Sequence, residues 1–345
     1  MFLLKRKYLG KRALIYGAYG NGNLGDTYQA RSLARLLEEA LPGIDVWAIS
    51  RSQRYYHFNE FRKVPASKLK DLDWINSFDL FVIGGGGLLA SKHRPLDNPD
   101  WINRLNVPVV ILGVGATPAG LEQCSALLER ACYVSVRDDY SLNDVRRLRS
   151  DADFYPDPIL VDQWNFNVTK RYPRERGLTF ILRKVSGRKR ELYQSMKTDV
   201  IQAEEKCFSI FPSTDHGSGI DDIFDPDQVS YIENLDSLFE SLSFAGGIVS
   251  NRLHGCIIGL KGGVPALGMD SLKDPSASKI FRLYELLGIQ KFCISTYERE
   301  ISRREILDLI EEFPSIKSRL RKRIKELNRY AVKRLRSLGE RWINE

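Results

Sequence analysis

The sequence predicts an α/β protein built as two Rossmann-like domains facing a cleft, with a basic amphipathic helix at the C-terminus. Three observations carry this. Short apolar runs of strand type alternate with helical patterns almost from end to end, as parallel strands with crossover helices require. Several of those runs end in glycine-rich or charged turns, where ligands bind in sheets of this kind. A polar stretch, Asp162–Arg176, which contains Tyr172-Pro173, divides the series in two.

In the first series, Ala13–Tyr16 reads as a strand and residues from about Asp26 to Ala40 as a helix that stops at Pro42-Gly43. Val46–Ile49, Leu80–Ile83, Val109–Leu112 and Tyr133–Val136 read as further strands. The second series has strands at Leu178–Leu182, Phe208–Phe211, Gly247–Ser250 and Val264–Met269. Helices alternate with them at Lys189–Glu205, Asp236–Ser243, Leu253–Lys261 and Ser276–Leu287. The expected division is residues 1–162, 176–300 and a helical segment over 301–345.

Composition narrows the class. The 345 residues are 43% hydrophobic and 28% charged, which excludes a disordered chain, a collagen and a small disulfide scaffold. No run approaches the ~18 apolar residues of a membrane-spanning helix, and the start carries no signal-peptide core. The five cysteines (Cys124, Cys132, Cys207, Cys256, Cys293) contain no CxxC pair, so neither a disulfide framework nor a metal site is expected. A soluble cytoplasmic protein is the reading these features support.

The net charge of +8 is confined to one place. Residues 315–345 carry eleven Lys/Arg against three Glu, a balance of +8, and the rest of the chain holds 41 basic and 41 acidic side chains. That tail also carries an apolar stripe at helical spacing: Ile316, Leu320, Ile324, Leu327, Ala331, Leu335, Leu338 and Trp342. Two readings stand: the helix lies on an anionic membrane surface at the inner face of the cytoplasmic membrane, or its stripe packs on the body. Nucleic-acid binding is not expected, since the rest of the chain is neutral and has no recognition motif.

Four motifs carry chemistry. Gly17-Ala-Tyr-Gly-Asn-Gly-Asn-Leu-Gly-Asp26 matches GxGxxG at Gly20, Gly22 and Gly25. The acid that holds a dinucleotide ribose is missing, and Ser50-Arg51 and Arg54 stand in its place. The bland alternative is a tight turn with Asp26 capping the next helix. Phe78-Asp-Leu-Phe-Val-Ile-Gly-Gly-Gly-Gly-Leu88 puts four glycines after a buried strand, an entropic cost that suits close backbone approach. Ser135-Val-Arg-Asp-Asp-Tyr-Ser141 places Arg137 at a strand end, with Ser141 as the expected helix cap; its alternative is a surface arginine paired with Asp138 or Asp139.

Ser250-Asn-Arg-Leu-His-Gly255 sets Arg252 and His254 on a loop over a helix N-terminus. There the arginine offers forked donors to an anion and the histidine a proton near neutral pH. Arg183, just after the strand at 178–182, is a further anion-binding candidate. His57, His93 and His216 read as surface residues, with His216 the best of them for an ancillary role.

Together, the Asn21–Asp26 block, Asp79–Gly87, Gly113-Val-Gly115, Ser135–Asp138 and Asn251–Gly255 resemble the polysaccharide pyruvyl transferase family over about residues 13–270. The family moves an enolpyruvyl group from phosphoenolpyruvate to a sugar, ending as a cyclic pyruvate ketal, and shares the GT-B fold of two-domain glycosyltransferases. The resemblance implies that Arg252, Leu253 and His254 form the donor-binding and catalytic triplet, with His254 catalytic, and that Arg137 binds the donor; Arg183, from its place after a strand, is expected to add to the donor site. Asn21, Gly22, Asp26, Gly85 and Gly86 are then expected on the cleft wall facing the acceptor. No cofactor is implied beyond phosphoenolpyruvate itself. The acceptor would be a sugar, free or lipid-linked, of a capsule or exopolysaccharide precursor. The segment Phe211–Asp222 matches no family motif, and a glycosyltransferase using a nucleotide sugar is the alternative of the same architecture.

Overall fold

The computed structural model describes residues 7–51, 61–90, 95–163, 178–183, 206–209, 224, 226–232, 234–242, 245–270, 272–274, 277–295, 297 and 302–343. The chain forms two compact units. The first comprises Met1–Asn21, Asp26–Gln163 and Lys325–Glu345, and the second Gly22–Gly25 with Trp164–Ile324.

The first unit holds a seven-stranded sheet of β1 (Arg12–Tyr16), β2 (Asp45–Ser50), β3 (Arg62–Pro65), β4 (Leu80–Gly84), β5 (Val109–Val114), β6 (Tyr133–Val136) and β7 (Asp153–Phe154). Its order is β3-β2-β1-β4-β5-β6-β7, with every pairing parallel. Helix α1 (Leu24–Ala40) and the shorter α2 (Leu72–Asn76), α3 (Pro99–Asn103), α4 (Pro118–Gln123), α5 (Ser125–Arg130), α6 (Asp139–Arg146) and α7 (Pro158–Val161) connect the strands. Strands β4 and β5 are buried at every residue, as the centre of a parallel sheet covered on both faces must be.

The second unit repeats the plan. Strands β8 (Leu178–Ile181), β9 (Lys206–Ser209), β10 (Val229–Tyr231), β11 (Gly247–Ser250), β12 (Ala266–Asp270) and β13 (Cys293–Ser295) form a parallel sheet in the order β10-β9-β8-β11-β12-β13. Helices α8 (Leu235–Leu242), α9 (Leu253–Gly262) and α10 (Lys279–Leu287) belong to it. In both sheets the strand order reverses beside the first strand, between β1 and β4 and between β8 and β11. Such a switch point opens a crevice at the carboxyl ends of the two strands, where ligands bind.

The expected strands and helices that lie among the described residues fall within a residue or two of these elements, apart from α10, which begins three residues later. The sequence reading missed β3, β7, β10 and β13. The expected helix at Lys189–Glu205, most of the polar stretch after Asp162, residues 210–211 of the expected strand, Arg54, His57, His93, His216 and the segment Phe211–Asp222 lie outside the described residues.

The C-terminal segment forms one helix of 40 residues, α11 (Arg303–Trp342). Ser302 and Glu305 close a capping box at its start: Glu305 N donates to Ser302 Oγ at 3.2 Å and Ser302 N donates to Glu305 Oε2 at 3.0 Å. Of the two readings of its apolar stripe, packing is what the structure shows. Ile316, Leu320, Leu327, Ala331, Leu335 and Leu338 are buried, while Ile324 and Trp342 are half-buried.

Within the second unit, Phe313 packs edge-on against Phe292 at 5.8 Å, and a Cβ on Gly247 would strike Ile310. Within the first, Asn328 Nδ2 donates to Val161 O at 2.7 Å and the Tyr330 hydroxyl donates to Phe154 O at 2.9 Å. Arg334 pairs with Asp153 at 2.6 Å, and Gly339 leaves room for Leu41. Leu335→Ala should therefore lower the unfolding free energy by about 2–5 kcal/mol, read from urea titration. A loss under about 0.5 kcal/mol, the range of a surface change, would mean that the stripe is not part of the core.

Candidate functional site

The site residues of the second unit gather at its switch point. Ser250, the last residue of β11, is buried, and its hydroxyl donates to Ile181 O at 2.8 Å and accepts from Arg252 N at 3.0 Å. Asn251 ties the end of the neighbouring strand with both ends of its amide. Its Oδ1 accepts from Arg183 N at 2.6 Å, and its Nδ2 donates to Arg183 O at 3.0 Å. These bonds hold the loops after β8 and β11 together and fix the backbone from which Arg252, Leu253 and His254 project.

Arg252, expected on the loop over a helix N-terminus, is the N-cap of α9, with φ −108° and ψ 126°. It is 8% exposed, and its Nε donates to Leu182 O at 3.0 Å. Its side chain makes no capping bond to the helix. The first amides of α9 therefore keep the partial positive charge of a helix start, which favours an anion. His254 lies in the first turn of α9, also 8% exposed, with Nε2 buried.

Gly25 explains a spacing that the sequence left open. It belongs to the 22–25 segment that groups with the second unit, and a Cβ there would overlap the imidazole of His254 at Nδ1, Cγ and Cβ. Gly255 is constrained too, since its Cβ would fall 2.5 Å from Ser250 Oγ and 2.9 Å from Ile181. The first and fourth motifs thus meet: the glycine turn is the surface against which the histidine ring is held. Arg183 itself is exposed at the same switch point.

A second polar cluster lies at the strand ends of the first unit. Gly85 and Gly86 adopt φ of 74° and 72°, a left-handed turn that a side chain would strain. Gly86 O accepts from Gly115 N at 2.7 Å, which binds the four-glycine turn to the end of β5. A Cβ on Gly85 would lie 2.7 Å from the amide of Gln29, whose Nε2 donates to buried Asp157 at 3.1 Å. Arg137 reaches the same carboxylate at 3.5 Å and Asp138 at 4.0 Å, and its guanidinium lies over Gly115. It is paired with Asp138, and its side chain is only 10% exposed.

Asn21 and Asp26 bond to one another at 3.0 Å, Nδ2 to Oδ2. Helix α1 begins at Leu24, so Asp26 sits within its first turn instead of capping it. Asp138, not Ser141, caps α6: its carboxylate accepts from Ser141 N at 2.8 Å, and the Ser141 hydroxyl accepts from Ala116 N at 3.1 Å. Gln29, Asp157 and Ser250 were missed as site residues. Asp157-Pro158 is a cap signature the sequence does show, whereas nothing in sequence marks Gln29.

Leu253 and Cys256 complete the buried side of α9's first turns, and burial pushes the Cys256 thiol up from 9.0 to about 12. The folded state holds that proton more tightly than the unfolded chain, so the stabilisation is full below pH 9 and drains as pH rises through about 12. Urea midpoints should fall over that window, and Cys256→Ala should flatten the fall; an unchanged slope in that variant would assign the loss to other groups. Gly25→Ala should displace His254, seen as a shift of its imidazole proton resonances. Unshifted resonances would mean that the ring does not rest on Gly25.

The family model for polysaccharide pyruvyl transferase matches residues 23–272. No curated protein matches the chain. Among solved structures, a glycosyltransferase from Rickettsia africae is 10% identical, with 97% of this chain and 99% of that one covered and a TM-score of 0.54. A UDP-GlcNAc 2-epimerase from Methanocaldococcus jannaschii is 11% identical, with 87% and 92% covered and a TM-score of 0.53. An O-GlcNAc transferase from Thermobaculum terrenum is 12% identical, with 97% and 68% covered and a TM-score of 0.55. At such identities the likeness shows the fold, which is that of the GT-B enzymes. The matched span contains all four motifs from Asn23 onward, including the helix start at Arg252–His254, and the chain belongs to the polysaccharide pyruvyl transferase family.

Proposed function

We propose that the protein transfers pyruvate from phosphoenolpyruvate to two hydroxyls of one sugar, forming a cyclic ketal and releasing phosphate. The observation that carries this reading is the pairing of Arg252 and His254 on one uncapped helix start, with Gly25 backing the imidazole. Phosphoenolpyruvate has a phosphate and a carboxylate. Fixed guanidinium forks and helix amides are the donors that bind such groups.

In this reading Arg252 grips the donor, assisted by the α9 amides and by Arg183, while Leu253 packs beneath. His254 donates a proton to the donor methylene carbon, which becomes a methyl group and leaves C2 electrophilic. A sugar hydroxyl attacks C2 and loses its proton; the C2–O bond to phosphate breaks, and phosphate departs. A second hydroxyl of the same sugar then adds to C2, and loss of its proton closes the ketal. Asn21, Gly22, Asp26, Gly85 and Gly86 are proposed to take the acceptor sugar of a capsule or exopolysaccharide precursor.

The proposal treats Arg137 differently from Arg252. Its charge is already met by Asp138 and Asp157, so removing it takes the guanidinium from the buried Asp157 carboxylate and leaves it the neutral donors Gln29 Nε2 and Ile159 N. Arg137→Ala is expected to lower stability by about 3–5 kcal/mol as well as to weaken donor binding. An unchanged urea midpoint would contradict the structural half of that role.

The direct test is phosphate release from phosphoenolpyruvate with a panel of free and lipid-linked sugars. His254→Ala should bind the donor normally and lose about 10²–10⁴ in turnover. Arg252→Ala should weaken donor affinity about 10- to 100-fold, the worth of charge-assisted hydrogen bonds. Near-normal turnover in the first variant, or unchanged affinity in the second, would remove that residue from its role.

A further inference from the structure

Opposite the buried stripe of α11 runs a second stripe of a different kind. Lys322, Lys325, Arg329, Lys333 and Arg336 are all exposed and follow each other by three, four, four and three residues. That spacing sets them in one row along the helix, about 21 Å long at 1.5 Å per residue. Like charges three and four apart repel by a few tenths of a kcal/mol per pair, so folding alone does not favour the row. Among the described residues, none of Lys322, Lys325, Arg329 and Lys333 has an ion pair. Two carboxylates of this helix pair away from the row, Glu312 with Lys291 and Glu340 with Lys7.

We infer that this row is a docking surface for an anionic lipid bilayer. The whole excess of +8 resides in residues 315–345, so the field of the protein points from this helix. Because the apolar stripe is packed on the body, the helix cannot insert that face among acyl chains. It can lay its outer row on a plane of negative headgroups, each cation contributing about 1 kcal/mol, or about fivefold in binding.

A nucleic-acid partner is disfavoured, since the rest of the chain is neutral and has no recognition motif. The aromatic residue in this stretch, Tyr330, bonds to Phe154 O instead of standing between the cations. No helix of the described residues is long and apolar enough to cross a membrane, so the contact is peripheral. The inference is independent of the donor chemistry.

The test is sedimentation of the full chain with phosphatidylcholine vesicles, with and without about one third phosphatidylserine. A Lys325→Gln/Arg329→Gln/Lys333→Gln variant, which leaves the buried stripe intact, is compared at low and raised salt. The wild-type chain should bind only the anionic vesicles, and raised salt should release it. The variant should bind about 100-fold more weakly with an unchanged thermal midpoint. Equal binding by the variant, no preference for anionic vesicles, or displacement from them by a duplex oligonucleotide at equal phosphate concentration would each overturn the inference.

Discussion

The site depends on one small knot of hydrogen bonds at the switch point of the second sheet. Ser250 and Asn251 bind the ends of β8 and β11 to one another with side chains, and by doing so they hold an arginine at the position where a helix usually has a capping serine or aspartate. The consequence is electrostatic. A cap that accepts hydrogen bonds would satisfy the first amides of α9; a cap that donates leaves them, and adds a guanidinium beside them. Such a helix start favours an anion. The histidine in the first turn gains its position from a different part of the chain, the glycine at 25, where any side chain would occupy the place of the ring.

The first unit meets the same problem with opposite means. There the strand ends carry a network in which one guanidinium, Arg137, faces the carboxylates of Asp138 and Asp157, Gln29 also bonds to Asp157, and the glycine turn after β4 packs close by. A network in which the cation is met by carboxylates is suited to shaping a surface, whereas the helix start of the second unit, with no side-chain cap, favours an anion. The long C-terminal helix adds a third arrangement. Its apolar stripe is spent on the body, residues before Lys325 within the second unit and residues after it within the first, so its cations are what it presents outward.

The strands read from sequence were those at the centres of the sheets. Each has a run such as Leu80–Ile83 or Val109–Leu112, since a central parallel strand is covered on both faces and must be apolar throughout. The four missed strands, β3, β7, β10 and β13, are the four edges of the two sheets. Their sequences, RKVP, DF, VSY and CIS, are short and partly exposed, and register with a neighbour defines them more than any pattern of their own. The candidate site was legible to the same degree. Arg252 and His254 stand in a motif, and Gly25 stands in another. That the two motifs touch, that Asp138 and not Ser141 caps α6, and that Gln29 reaches Asp157 are facts of tertiary packing, with no local signature to announce them.

The central claim is that the imidazole and guanidinium of this helix start act on a donor whose methylene carbon is protonated during transfer. Running the reaction in heavy water, with phosphoenolpyruvate and a UDP-sugar both present beside the acceptor, tests it most directly by proton and phosphorus NMR. The account predicts inorganic phosphate released in step with a ketal whose methyl group carries one deuterium, and the UDP-sugar left intact. Release of UDP with phosphoenolpyruvate untouched would contradict it.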